Sequence, residues 1–242
     1  MFFLDIYSEV IYRPLLNLLV YFYNIIPGHD IGIVIIFVTL LIRLILAPSM
    51  HKSLKSQQKM SSLQPHLNDL REKHKGDKEG QAKAMMDLYK EHQINPLSSC
   101  LPLLIQLPIL IALYQVFSKA LHGNLDGLYT FVARPEFLDP TFLNFLDLSQ
   151  PNIVLAILAG ALQFWQSRMM TPKVKSTDAT AAAMAIQTTY VLPLLSIFIA
   201  WRLPAGLPLY WSVTTLFAIG QQYFIMRQMS KKTDAIEGQI VK

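Results

Sequence analysis

The sequence predicts an all-α membrane protein. Five transmembrane helices surround a polar groove open to the cytoplasm, with an N-terminal interfacial helix before them and a cytoplasmic helical hairpin between the first two. Three observations carry this. Of 242 residues, 52% are hydrophobic and 15% charged, against about 25% charged in a typical soluble domain. Five apolar stretches approach the roughly 20 residues that a hydrocarbon core of about 30 Å requires. Lys and Arg gather in alternate connections between them. The one cysteine, Cys100, excludes an intrachain disulfide framework and a multi-cysteine metal cluster.

Taken in order, residues 1–29 form the first element. Phe2–Pro27 mixes Ile6, Leu15, Leu18, Leu19 and Phe22 with Asp5, Glu9, Arg13, Asn17 and several tyrosines, the pattern of an amphipathic helix lying in the outer interface. It has neither the cationic start and small-x-small site of a cleaved signal peptide nor an Arg-rich transit sequence. Residues 30–50 hold the first span, Ile31–Ser49. Residues 51–96 form the cytoplasmic hairpin. Residues 97–226 are the four-helix remainder, with spans at Leu97–Leu121, Ile153–Met170, Thr188–Trp201 and Leu207–Met226. Only Arg202–Gly206 divides the last two, so they read as a tight helical hairpin. Residues 227–242 are a short cytoplasmic tail.

Charge sets the direction. The loop His51–Pro96 carries nine Lys/Arg, the connection after the third span adds Arg168, Lys173 and Lys175, and the tail adds Arg227, Lys231, Lys232 and Lys242. The opposite side holds only Arg13, Lys119, Arg134 and Arg202. The N-terminus is therefore expected outside and the C-terminus in the cytoplasm. The net charge of +5 needs no nucleic-acid partner to explain it.

In the hairpin, Met60, Leu63, Leu67 and Leu70 follow the 3-4-3 spacing of a helix that packs on one side. Pro65 inside it predicts a kink or a break. Gly76 and Gly80, flanking charged residues, predict the turn, and a second helix runs through Ala82, Met85, Met86 and Tyr89 to end before Asn95-Pro96. A solvated connector is one reading. A docking element for an incoming polypeptide or its delivery machinery is the other, with methionines supplying adaptable apolar contact.

Arg43 is the main functional candidate. It lies some twelve residues into the first span, roughly 18 Å from its outer end at about 1.5 Å per residue, and the five spans contain no Asp or Glu. A central arginine costs on the order of 2.5–3.5 kcal/mol on insertion scales. It either snorkels to cytoplasmic headgroups or meets water and neutral polar groups in a cavity. Thr39 sits one turn earlier on its face. Gln106 lies in the second span, Gln163 and Gln166 in the third, and Trp211, Thr215 and Gln222 recur at near-helical spacing in the fifth. Each alone reads as an interhelical hydrogen bond; together with Arg43 they describe a polar groove. No Gly-rich phosphate loop, HExxH motif, GxSxG elbow or intramembrane carboxylate pair occurs. The chain is expected not to be an enzyme and to need neither cofactor nor metal.

Three stretches carry a resemblance. They are Thr39-Leu40-Leu41-Ile42-Arg43-Leu44-Ile45-Leu46-Ala47-Pro48, then Asn95-Pro96-Leu97-Ser98-Ser99-Cys100-Leu101-Pro102-Leu103-Leu104-Ile105-Gln106-Leu107-Pro108, then Pro204-Ala205-Gly206-Leu207-Pro208-Leu209-Tyr210-Trp211 followed by Gly220-Gln221-Gln222. In this order, from about Asp30 to Arg227, the chain resembles the YidC insertase family, with its mitochondrial and chloroplast relatives. The resemblance implies an ATP-independent insertase for short or weakly hydrophobic membrane proteins, acting alone or beside the Sec translocon. It implies nascent integral membrane proteins as clients, and the signal recognition particle pathway and the ribosome as further partners. It places Arg43 in a groove open to cytoplasm and lipid and closed to the outside. Trp211 carries over as the aromatic of the Leu-Tyr-aromatic motif, Gln163 and Gln166 stand near the polar position of the third span, and His51–Asn95 matches the cytoplasmic hairpin. The extra N-terminal span and large periplasmic domain of Gram-negative members are not in this sequence, and its short tail departs from tails that bind ribosomes. A small anion transporter or channel using Arg43 is the alternative from another class, though inverted repeats are lacking; a non-catalytic assembly factor is the third.

Overall fold

A computed structural model describes residues 2–95, 101–171 and 179–240. Ten α-helices are described: α1 (Phe2–Tyr7), α2 (Arg13–Ile25), α3 (Ile31–Ser62), α4 (Gln64–Lys73), α5 (Lys78–Glu91), α6 (Leu101–Ala120), α7 (Ile153–Met170), α8 (Ala179–Ile186), α9 (Leu192–Ala200) and α10 (Gly206–Ile240). Between α6 and α7 lies a two-residue antiparallel ladder, β1 (Thr141–Phe142) with β2 (Leu146–Asp147), which pairs Thr141 with Asp147 and Phe142 with Leu146. No strand was expected there. The ladder is too short for period-2 alternation to announce it in the sequence.

Two compact units divide the chain. The first comprises Met1–Ile45, Leu103–Gln163 and Pro193–Phe217; the second comprises Leu46–Pro102, Phe164–Leu192 and Ala218–Lys242. The apolar core lies in the first. Leu16, Leu19 and Val20 of α2 meet Ile31, Val34 and Ile35 of α3, Val116 and Phe117 of α6, and Leu148 and Leu207 in one buried cluster. The apolar face of α2 is thus covered by protein, while Ile6, Val10 and Ile25 of the N-terminal segment stay exposed. Within it the helix widens to a π-turn at Ser8–Tyr12, and Arg13 N–H donates to the Ser8 carbonyl. Pro14 follows. In the second unit a π-turn at Gln187–Val191 joins α8 to α9, Leu192 N–H donates to Gln187, and Pro193 follows. A proline has no N–H to give the carbonyl four residues back; in both places the widened turn comes directly before that gap.

Three helices among the described residues are long and apolar enough to cross a membrane: Ile31–Ser62, Ile153–Met170 and Ala182–Ala200. A shorter apolar helix covers Leu104–Ala120. The fourth stretch therefore begins earlier than the expected Thr188, because the Ala-rich run before it is helical. The predicted span Leu207–Met226 is helical within α10 but is not among the three; Ser212, Thr214, Thr215, Gln221 and Gln222 dilute its apolarity.

The 51–96 region differs in detail from the expectation. Instead of ending near Ser49, α3 continues as one helix to Ser62, since nothing after Pro48 stops it before Leu63. Of the two outcomes expected at Pro65, the break is the one observed: α3 ends at Ser62 and α4 begins at Gln64. Pro65 stands in the first turn of α4, where its missing N–H costs no helical bond. Gly76, at φ +95°, lies in the turn. Gly80 belongs to α5, and its N–H donates at 2.9 Å to the Asp77 carboxylate that caps that helix.

Candidate functional site

In the first unit, Arg43 is buried (9% exposed) despite its charge. Its Nη2 donates to Gln106 Oε1 at 2.7 Å, and its Nε donates to Thr214 Oγ1 at 3.4 Å. The Gln106 amide nitrogen in turn donates to the Tyr210 hydroxyl at 2.7 Å. These bonds join α3, α6 and α10 into a relay: guanidinium, amide, phenol. Among the described residues Arg43 meets no carboxylate at ion-pair distance. A full positive charge is held by neutral dipoles, and two of the guanidinium's five N–H groups are used in doing so.

Helical periodicity explains the geometry. Arg43 and Thr39 are four residues apart on α3, and Tyr210 and Thr214 are four apart on α10, so each pair shares a face. Thr39 is buried, and its hydroxyl donates to its own helix, at the Ile35 carbonyl 2.6 Å away. It lines a void of about 10 Å³ with Val38, Phe117 and Tyr210, about the size of one water. Its hydroxyl is used within the bundle.

Of the residues expected on sequence grounds, Arg43 and Gln106 are brought together. Tyr210 and Thr214, which bond into the network, were missed. The expected pair, Trp211 and Thr215, lies one position further along α10; Trp211 is half-buried and Thr215 buried. The available signal was a second i,i+4 pair of hydroxyl groups in the same stretch, which a periodicity argument cannot rank without knowing which face meets α3. Gln163, half-buried in the first unit, has an amide oxygen without a hydrogen-bond partner among the described residues. Gln166 belongs to the second unit, where it lines a cavity of about 320 Å³ with Gln57, Ser167, Met170, Thr171 and Thr188. Gln222, also in the second unit, is fully buried, and neither amide atom has a hydrogen-bond partner among the described residues. Among the described residues no cluster of three His, Cys, Asp or Glu has metal-holding geometry.

The family described as 60Kd inner membrane protein matches residues 21–232. The chain belongs to that family, the family of the YidC insertases. It is similar to the membrane protein insertase YidC of Clostridium tetani, 39% identical over 209 residues covering 86% of this chain and 87% of the relative. The insertase YidC of Fusobacterium nucleatum is 38% identical over 82% of this chain and 87% of its own. With that of Pelobacter propionicus the identity is 35% over 89% of this chain, which spans 38% of that longer relative. The matched region contains every member of the Arg43–Gln106–Tyr210–Thr214 network, so the relay lies in the part of the chain that YidC relatives share.

Proposed function

We propose that the chain is a membrane protein insertase and chaperone that acts, without catalysing a chemical reaction, on nascent integral membrane proteins in the bacterial plasma membrane. Membership of the YidC family supports this, and the single observation that carries the mechanism is the buried Arg43, whose hydrogen-bond partners among the described residues are neutral. A translocating segment must cross hydrocarbon, where each unpaired peptide group is costly. A hydrated groove beginning at the cytoplasm shortens that path. Arg43, with N–H groups beyond the two bonded to Gln106 and Thr214, offers charge and hydrogen bonds to acidic or carbonyl groups on the way. Thr39, Gln106, Gln163, Gln166, Trp211, Thr215 and Gln222 are the further groove residues of this reading, and Tyr210 and Thr214 position Arg43. The client's apolar helix then leaves sideways into lipid, and its burial drives the process without nucleotide.

In the same proposal the chain has five spans, with the N-terminus outside and the C-terminus in the cytoplasm, and α4 and α5 form a cytoplasmic docking hairpin. The Sec translocon, the signal recognition particle pathway and the ribosome are the candidate partners there. The test is reconstitution in liposomes with a single-span client bearing an acidic N-terminal segment. Protease protection of that segment is expected to require both the protein and Arg43. Protection that survives Arg43→Ala would remove Arg43 from the mechanism, and no protection above empty liposomes would contradict autonomous insertion.

A further inference from the structure

The connection between α6 and α7 exposes more apolar surface than a water-facing loop would. Phe131, Phe137, Leu143 and Phe145 are 75%, 64%, 54% and 76% exposed. Their neighbours Val132, Leu138 and Leu148 are buried in the core, so apolar side chains stand on both faces, the exposed ones interleaved with Arg134, Glu136, Asn144 and Asp147, the mixture that a headgroup level accommodates. One face packs on the protein and the other has no protein cover among the described residues.

Its position is fixed by hydrogen bonds to helix ends. Asp30 Oδ1 accepts from Gly32 and Ile33 N–H at 2.8 and 3.0 Å and caps α3, while its Oδ2 accepts from Leu143 N–H at 2.6 Å. The turn at Leu143-Asn144, with φ of +52° and +60°, therefore sits one hydrogen bond from the residue that precedes α3, whose first half is the most apolar stretch of the three membrane-length helices among the described residues. Left-handed backbone at a leucine is uncommon and is held only where the surroundings enforce it. At the end of α2, Asn24 donates to the Ala133 carbonyl at 2.7 Å and Asp139 N–H donates to the Tyr23 hydroxyl at 2.9 Å. Gly206 and Ala205 N–H donate to Leu148 and Gln150, which ties in the turn that carries exposed Trp201.

If α3 and α7 cross a bilayer, a segment clasped to the start of α3 and running directly into α7 lies at the level of the headgroups. Aromatic residues partition to that level. We propose that this connection is a bilayer anchor, with Phe131, Phe137, Leu143 and Phe145 seated in the interface of the leaflet that meets the N-terminal ends of α3 and α7. The occupant of the exposed face is lipid, because the clasp sets its depth beside the apolar start of α3. The inference rests on the span assignment of α3 and α7 and not on client insertion.

The native chain has one cysteine, so the test is simple: in Cys100→Ser protein, nitroxide labels are placed singly at positions 137, 145, 126 and 157 in liposomes. Position 157 lies on the exposed face of the apolar α7 and position 126 in the polar part of the connection. Relaxation by oxygen is expected to exceed relaxation by a water-soluble nickel chelate at 137 and 145, as at 157, and the order is expected to reverse at 126. Nickel access at 137 and 145 equal to that at 126, with 157 still in lipid, would overturn the anchor alone. Immobilised labels that neither agent reaches would show a protein partner or second copy on this face and equally overturn it. Nickel access at 157 would overturn the span and the anchor together.

Discussion

A guanidinium inside an apolar bundle needs its N–H groups bonded, because an unsatisfied buried donor costs about 1–3 kcal/mol. Gln106 serves two neighbours at once, accepting from Arg43 and donating to Tyr210. Gln106→Leu is therefore expected to lower unfolding free energy in detergent by about 1–3 kcal/mol, and Tyr210→Phe by about 0.5–1.5 kcal/mol. The double variant should cost less than the sum of the two, since both break one network; strict additivity in a thermal or denaturant series would separate them. Arg43 and Gln106 were legible in the sequence because a polar residue inside an apolar run is conspicuous. Their pairing was not, since they stand 63 residues apart and helical period says nothing of which helices are neighbours. The same limit explains Tyr210 and Thr214. One residue on a helix rotates a side chain by about 100°, enough to move the contact from Trp211 and Thr215 to their predecessors.

At the scale of elements, prolines and capping residues set where helices begin and end. Pro65 opens α4, and the Asp77 carboxylate caps α5. Asp77→Ala removes that cap at a cost of about 1 kcal/mol, and faster amide exchange in the first turn of α5 is the expected signature. Where α7 meets α9, a Cβ on Gly160 would run into the Ile197 side chain and stand 3.1 Å from the Pro193 carbonyl, so the two backbones approach closely because Gly160 has no side chain. Gly160→Leu is expected to cost at least about 1–3 kcal/mol by overpacking, read as a lowered melting temperature; an unchanged melting temperature would show that the helices part easily. The apolar runs made the helices around 31–49 and 153–170 visible. The continuation of α3 to Ser62 was hidden because hydropathy reports the membrane boundary and not the helix boundary. The Ala-rich start of the fourth stretch was hidden for the converse reason: alanine favours helix while adding little hydropathy.

At the scale of the molecule, the distribution of charge and the family agree on a membrane protein. Sixteen Lys/Arg fall on one predicted side against four on the other, and the bias predicts orientation. In right-side-out vesicles of Cys100→Ser protein, a cysteine at position 126 is expected to react with an impermeant maleimide, and one at position 235 only after the membrane is opened. The reverse pattern would invert the topology. Class and family were readable because composition and three spaced motifs are properties of sequence alone, whereas the outer apolar face of residues 131–145 needed coordinates to separate it from the buried face beneath.

We propose that Arg43 acts by charge, and a client series is the direct test. Insertion of one single-span client carrying zero to three acidic residues in its translocated segment is measured with the native protein, Arg43→Lys and Arg43→Gln in liposomes. Insertion of the acidic clients is expected to fall sharply with Arg43→Gln and to be largely kept with Arg43→Lys, while the uncharged client is least affected. Equal loss in both variants across all clients would contradict action by charge.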